Sequence, residues 1–548
     1  MNQATTLMVT SSWEELFHEE HRSDVEAILP NYLPARRWFS DKARTIESVR
    51  IVDAILLPLG PSNAYLTMIK VEYSEGKPQT YVLPVTFAEG ARAMQIENRA
   101  PQAIVARVQV EGAGADNTSA GMLYDATWDG NFATTLLEAI CQGSQFPAAS
   151  GEIKAWASDT SGEALQEAKT PLESRIMGAE QSNTSLVYGD RFILKLFRRL
   201  EGGTSPDLEI GRFLVEKGFS HTPPVLGAIE QHRREGEPLT LAILQGYVHN
   251  KGDAWQYSLD ALEGYFSRVE ERKDESENRD IEATPTGHLL DLLGKTPAGV
   301  REAIGPYLES ASLLGRRTAE MHLAMASDHE NPAFAPESFS MVYQTSLYDS
   351  VMTMYEEAIH LLSGRLNDLS GAAQLAAQGI LDSREELRTR LQPMLEQEIP
   401  TTRTRVHGDY HLGQVLYTGD DFMIIDFEGE PARQLSERRC KHSPLKDVAG
   451  MLRSFHYAAN AAAMSKVEDV SELPGHADAW YRWVSVAYLE EYLKVAGPAD
   501  FLPRAPEEIR LLLDVYLLEK ATYELLYELN NRPDWVRIPL QGITQLIT

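Results

Sequence analysis

The sequence predicts an α+β chain in three parts: a small N-terminal α+β unit, a β-rich middle and a large, mostly helical C-terminal region. Three observations carry this. Alternating apolar segments separated by turn signals dominate the first part of the chain. From about residue 253 onward, apolar residues recur at helical spacing. One β-like island, TRVHGDYHLGQVLYTGDDFMIIDFEGEP, interrupts those helices. The expected domains are 1–95, 96–250 and 251–548, in keeping with the several cores that a 548-residue chain needs.

Taken in order, residues 12–33 read as a helix, with Ser12 and Glu15 in a capping box and Pro30 and Pro34 closing it. SVRIVDAILL, AYLTMIKVEY and TYVLPVTFA read as antiparallel strands, because the turns GPSN and SEGKP separate them. The first unit is expected to end there. QAIVARVQV then opens the second region, and AGMLYDATWDGNFATTLLEAI reads as strand then helix. Residues 142–173 are rich in Gly, Ser, Ala and Thr and read as loop with weak strands. SLVYGDRFILKLFRRL and TLAILQGYV are strands placed around the helix DLEIGRFLVEKG. Helical patterns follow at 306–326, 341–398, 445–466, 476–496 and 506–531. The mixed charge run ERKDESENRD ahead of them reads as a solvated helix end or loop.

Composition excludes several classes of function. Lys and Arg number 51 and Asp and Glu 80, a net charge of −29. A surface for nucleic-acid phosphates needs clustered cations, so no nucleic-acid partner is expected. No apolar run reaches the length of a membrane span, and the N-terminus lacks a secretory pattern, so no membrane partner and a cytoplasmic location are expected. Cys141 and Cys440 alone make neither a disulfide framework nor a zinc site.

The island carries the chemistry. It reads His407-Gly408-Asp409-Tyr410-His411-Leu412-Gly413-Gln414, then an apolar strand, a Gly-Asp turn, and a second strand that ends on Asp426 before Phe427-Glu428-Gly429. This is the layout of a phosphotransferase centre. Asp409 would be the catalytic base that accepts the attacking hydroxyl's proton. Gln414 and Asp426 would be the metal ligands, supplying the oxygen donors that Mg²⁺ takes. Gln414 departs from the usual Asn; it offers the same carbonyl oxygen on a longer arm.

The nucleotide half lies upstream. Gln181, Ser182, Asn183, Thr184 and Ser185 would form a turn whose backbone N–H groups approach phosphates. Lys195 stands among apolar neighbours in a strand and needs a partner, which Glu209 on the next helix is placed to supply. Gln245, Tyr247 and Val248 follow the strand TLAIL, where hinge backbone would meet the adenine.

These residues resemble the maltokinase family, a branch of the aminoglycoside-phosphotransferase-like, protein-kinase-like superfamily. The resemblance rests on LPARRWFSDKAR, EQSNTSLVYGDRFILKLFRR, PDLEIGRFL, VHGDYHLGQVL, IIDFEGEP and SPLKDVAGMLRSFHYAA, in the family's order over residues 12–530. It implies a bilobal kinase-like fold with an N-terminal cap, and ATP and Mg²⁺ as cofactors. It also implies phosphorylation of maltose to maltose 1-phosphate, within α-glucan (glycogen) synthesis from trehalose. In some relatives the kinase is fused behind a trehalose synthase. This chain begins at its own Met1 and is expected to carry none, which leaves association with such a synthase as an implied partnership. The signature residues Arg36, Arg37, Trp38, Phe39 and Lys42 read as cap packing, or as a loop that touches the nucleotide lobe or a second subunit.

Sugar contacts would combine carboxylates, Arg and aromatic faces. Candidates are His411, Glu428, Glu430, Arg438 and Tyr523, with Arg453 and Tyr527 nearby in the helical region. Glu430 and Arg438 read equally as surface charges, and His411 as a structural histidine. Trp480, Trp483 and Tyr488 read as core. Two alternatives stand beside maltose: a kinase of another sugar such as glucosamine, and an ATP-binding pseudokinase.

Overall fold

In a computed structural model of the chain, residues 5–60, 62–111, 118–159, 165, 172–177, 182–271, 286–465 and 473–547 are described. The chain forms two compact units. One comprises Met1–Arg212 and Pro223–His249, the other Phe213–Thr222 and Asn250–Thr548.

The first unit contains two sheets. The strands β1 (Thr6–Val9), β2 (Ile46–Pro58), β3 (Asn63–Tyr73), β4 (Gln79–Glu89), β5 (Ile104–Glu111) and β6 (Thr118–Asp125) form the first, in the order β1-β5-β6-β4-β3-β2. β2, β3 and β4 make the antiparallel meander that the turn signals indicated. The expected boundary at residue 95 falls inside this sheet. The helix Gly90–Arg99 carries the chain across this boundary, and the β5–β6 hairpin returns to pair with β4. The expected helix over 12–33 is also divided, into a 3-10 turn Trp13–Phe17 and the helix Arg22–Tyr32. Glu15 does not close a capping box. Its carboxylate accepts the upstream N–H groups of Thr10 and Ser11, at 2.9 and 3.0 Å. Trp38 and Phe39 are buried beside Tyr81 in the core of this sheet.

The second sheet holds β7 (Gln145–Ala148), β8 (Gly151–Ala157), β9 (Ser174–Ile176), β10 (Asn183–Tyr188), β11 (Phe192–Phe197), β13 (Val225–Arg233) and β14 (Leu239–Gly246). Their order is β7-β8-β13-β14-β11-β10-β9, while β12 (Arg199–Leu200) crosses to pair with β4 of the first sheet. The helix Gly130–Gln142 lays Phe132, Leu136 and Ile140 against Leu194, Leu196 and Ile243. Asp129 caps its N-terminus through the Asn131 N–H, and Gly143 ends it at φ 64°, a left-handed conformation that glycine adopts freely.

Arg198 sits where the two sheets meet. It is 1% exposed, and its guanidinium donates to Asp125 at 2.8 Å, Thr184 at 2.8 Å, Thr127 at 3.1 Å and the Val82 carbonyl at 3.4 Å. It also lies over the Trp38 ring.

The second unit is mostly helical. Its longer helices are Ala254–Glu271, Tyr307–Met325, Met341–Arg365, Leu445–Ser465, Leu473–Ala496 and Pro506–Asn531. The helical stretch expected over 341–398 is three helices, Met341–Arg365, Gly371–Asp382 and Arg384–Leu391. Trp480, Trp483 and Tyr488 are buried, with Trp480 packed on Tyr307. Two short ladders interrupt the helices: β15 (Glu337–Ser338) with β16 (Thr402–Arg403), and β17 (Val415–Tyr417) with β18 (Phe422–Ile424). Phe213–Thr222 joins this unit. Phe213 stacks on Phe334, and the His221 carbonyl accepts the Ile424 N–H at 2.8 Å. No helix among the described residues is long and apolar enough to cross a membrane.

Candidate active site

The island folds as a loop and a hairpin whose shape is set from behind. Gly408 takes φ 86°, a conformation that side chains disfavour. The N–H groups of His407 and Gly408 both donate to the Asp447 carboxylate, at 2.7 and 2.9 Å. Asp447 stands in the first turn of the helix Leu445–Ser465, and His322 Nε2 faces it from 3.1 Å. Burial raises its carboxyl, but His322 and the loop N–H groups outweigh this and hold it below the usual range. The His407 ring lies between Tyr410 and Phe427, with Nε2 2.9 Å from the Ile425 carbonyl, which fixes the loop to the end of β18.

Asp409 projects from this loop. Lys520 Nζ, from the helix Pro506–Asn531, lies 3.1 Å from its Oδ1, and His411 Nε2 lies 3.8 Å from its Oδ2. Burial pushes the Asp409 carboxyl up, and the charges of Lys520 and His411 more than offset it, so the group stays ionised below the usual range. Burial conversely lowers Lys520, and Asp409 and Glu524 overcome it, leaving a firm cation. Burial also lowers His411. Its Nδ1 accepts the Gly413 N–H at 3.1 Å, so the ring caps the turn that leads to Gln414.

The hairpin places Gln414 and Asp426 together, with Gln414 Nε2 donating to Asp426 Oδ2 at 2.9 Å. Asp426 sits at φ 67°, the only positive φ of a non-glycine among the described residues. Such backbone is held only where its surroundings require it. Arg317 braces the hairpin turn with a fork onto Asp421, at 2.9 and 2.7 Å. A carboxylate and an amide carbonyl are hard oxygen donors, and this pair fits a bound Mg²⁺ chemically.

Beside Asp409 opens a cavity of about 430 Å³, its mouth included, lined by Glu430, Arg433, Lys446, Glu519, Lys520 and Tyr523 among others. Glu430 pairs with Arg433 at 2.7 Å, Arg433 with Glu519 at 3.1 Å, and Glu519 with Lys446 at 2.7 Å. Burial would raise the Glu519 carboxyl; Lys446 and Arg433 instead hold it down to about 2. Of the expected sugar residues, Glu430 and Tyr523 line this cavity. Arg438 donates to the Glu428 backbone carbonyl at 3.0 Å and packs along Gly429. Arg453 is buried in a pair with Glu524, and Tyr527 is exposed.

In the first unit, Lys195 lies on β11 opposite Ser185 of β10. Its Nζ is 3.1 Å from Asp207, in the first turn of the helix Pro206–Glu216. Glu209, the acid expected to pair with Lys195, lies two residues further along the same helix. Gln181 lies outside the described residues. Ser182 is exposed, whereas Asn183, Thr184 and Ser185 are buried in β10 rather than in a turn. Strand burial is tolerable for Thr184 because its hydroxyl accepts from Arg198. Gln245 pairs with Ile193 in the ladder, and the Tyr247 N–H donates to the Arg191 carbonyl at 2.8 Å. Val248 follows directly, beyond the end of β14.

Sequence reasoning missed Lys520, Asp447, Asp207 and the Arg433–Glu519–Lys446 chain. A signal existed for two of them. Lys520 is a cation inside the largely apolar run LLLDVYLLEKATYELL, and Asp447 follows Ser443-Pro444 at a helix start. The chain Arg433–Glu519–Lys446 joins residues far apart in sequence and left none.

Residues 32–129 match the maltokinase N-terminal cap domain, and residues 309–509 match a phosphotransferase enzyme family. A glucosamine kinase of Streptacidiphilus jiangxiensis is 24% identical over 378 residues, 67% of this chain and 72% of its own. A second, from Mycolicibacterium smegmatis (strain ATCC 700084 / mc(2)155), is 23% identical over 398 residues, 69% of this chain and 81% of its own. Among solved structures, a glucosamine kinase in complex with glucosamine, ADP and inorganic phosphate superposes with a TM-score of 0.58 at 19% identity, covering 95% of this chain and 99% of that one. Crystal form A of a glucosamine kinase gives 0.60 at 19% identity, covering 98% and 99%. These superpositions establish a kinase-like fold.

Proposed function

We propose, from the premise that this chain is a maltokinase-like member of the aminoglycoside-phosphotransferase, kinase-like superfamily, that it phosphorylates maltose at the anomeric hydroxyl. The products would be maltose 1-phosphate and ADP. The observation that carries the phosphotransfer is the constrained set Asp409, Gln414 and Asp426. A glycine turn held by the buried Asp447 shapes the loop that carries Asp409, and a left-handed Asp426 faces Gln414 on the hairpin that follows it. The match to a maltokinase cap favours maltose.

The reaction follows from these residues. Asp409, kept ionised by Lys520, accepts the proton of the anomeric hydroxyl as its oxygen bonds to the γ-phosphorus of ATP. The bond from that phosphorus to the β,γ-bridging oxygen breaks, and ADP leaves. Gln414 and Asp426 would hold Mg²⁺, which when bound spreads the negative charge of the phosphate oxygens. Lys195, steadied by Asp207, would engage the nucleotide phosphates from the first unit. We place the activity in α-glucan synthesis from trehalose, with a trehalose synthase as the source of maltose and a candidate partner.

A second reading, a glucosamine kinase, is favoured by the names of the curated relatives. Coupled detection of ADP release with maltose, glucose, glucosamine and trehalose separates the two, with the product mapped to the phosphorylated carbon. Turnover of glucosamine without maltose would overturn the maltose assignment.

A further inference from the structure

The cavity beside Asp409 has its acids engaged from within the chain. Its lining brings three carboxylates, Asp409, Glu430 and Glu519, and three cations, Arg433, Lys446 and Lys520. The fourth acid, Asp447, faces His322 and the N–H groups of His407 and Gly408. Each of the three carboxylates is engaged by a cation of the chain itself. Lys520 lies 3.1 Å from Asp409, Arg433 lies 2.7 Å from Glu430, and Lys446 and Arg433 lie 2.7 and 3.1 Å from Glu519.

An ammonium on a substrate would therefore find a cation already beside each of these three carboxylates, and would find the fourth, Asp447, engaged by His322 and two loop N–H groups. It would meet like charge in surroundings less screening than bulk water. A neutral hydroxyl meets no such repulsion, and both the Lys520 ammonium and the carboxylates can hydrogen-bond it. The helix Pro506–Asn531 fixes Lys520 in place, and the Tyr523 ring packs against it one turn on.

We propose that Lys520 is a specificity-determining residue that makes this site select neutral sugars over amino sugars, by holding with its own ammonium the place beside Asp409 that a substrate's ammonium would take. The inference rests on the reading of Asp409 as the base of a sugar kinase. It departs from the specificity named for the relatives.

The test uses glucose and glucosamine, which differ only in the C2 substituent, on the full chain. Turnover with ATP and calorimetric binding are both measured. Wild type should favour glucose by at least about tenfold, and Lys520→Met should reduce that ratio by roughly ten- to a hundredfold. Lys520→Arg, which keeps the charge, should retain the ratio. A residue needed only for structure would lower both sugars alike and leave the ratio unchanged, which would overturn the proposal. An arm without mutation guards against misfolding of the variant. Raising the pH until the sugar amine is neutral should close the gap on wild type, and a persisting gap would count against the proposal. Preference of wild type for glucosamine, or binding of neither sugar, would also overturn it. If wild type binds with the expected ratio but transfers no phosphate, the kinase reading fails while the selectivity stands.

Discussion

Arg198 offers the sharpest stability test. It is 1% exposed and joins Asp125 and Val82 of the first sheet to Thr184 of the second. Arg198→Met would leave Asp125 buried without its cation. Breaking one side of a buried ion pair costs about 3–5 kcal/mol. Asp125 keeps two hydrogen bonds, from the Thr127 N–H at 3.0 Å and hydroxyl at 2.7 Å, so the low end applies, about 3 kcal/mol. Against a typical total of about 5–15 kcal/mol this is a large fraction. The reporter is hydrogen exchange over β4, because the Val82 N–H donates to the Arg198 carbonyl at 2.7 Å. Opening there should become about 100-fold more frequent, and the double variant Arg198→Met, Asp125→Leu should recover most of the loss. β10 and β11 carry Thr184 and Lys195, so KM for ATP should rise as well. Exchange over β4 that changed less than about fivefold would refute the claim that this pair holds the two sheets together.

Three further outcomes are expected. Asp409→Asn should lower kcat by about 10²–10⁴-fold while calorimetric ATP binding changes little; retained turnover would remove Asp409 as the base. Glu519 has a folded pKa of about 2 against an ordinary 4.5, so the unfolded chain takes up the proton first as pH falls. Its stabilisation, at most about 3 kcal/mol, is present above about pH 4.5 and lost towards pH 2. Denaturant melts of wild type and Glu519→Gln should therefore converge across that window, and parallel curves would contradict the assignment. Asp426→Gly should abolish phosphotransfer yet shift stability by no more than about 1 kcal/mol, because glycine relieves the left-handed backbone while the Gln414 hydrogen bond is lost. A large loss of stability would show that Asp426 is chiefly structural.

Local signals in the sequence were strong wherever one element decided the outcome. The β2–β4 meander, the β17–β18 hairpin and the helix Pro506–Asn531 follow from periodicity and turn residues that a single segment displays. The errors arose where distant segments decide. The boundary was expected at residue 95 because nothing local says that β5 and β6 return to β4. Asn183–Ser185 looked like a turn because hydroxyl residues favour turns. Their burial depends partly on Arg198, which reaches Thr184 from the end of the neighbouring strand. The Asp207 contact of Lys195 was not legible either, because which acids of the following helix reach the strand depends on how that helix packs.

The acids around the active loop show what composition could not. The net charge of −29 is awkward for a protein expected to hold an anionic nucleotide. Four carboxylates in the second unit nevertheless differ by neighbour. Asp447 faces His322 and two loop N–H groups and is used to shape the turn. Glu519 is neutralised from two sides and closes the wall of the cavity. Asp426 is held in a left-handed backbone and accepts a hydrogen bond from the Gln414 amide. Asp409 lines the cavity with Lys520 and His411 beside it, and they keep it charged. Carboxylates thus serve here as a brace and a wall, and on the proposed reading as a metal ligand and a base, because environment and not identity sets what a carboxylate does. Removing Lys520 should therefore change the role of Asp409 more than its position. The measure is the acid limb of kcat/KM, which should move to higher pH in Lys520→Met, since the carboxyl lowered by that cation would return towards its ordinary value. An acid limb that stayed in place would mean that the lysine does not govern the base.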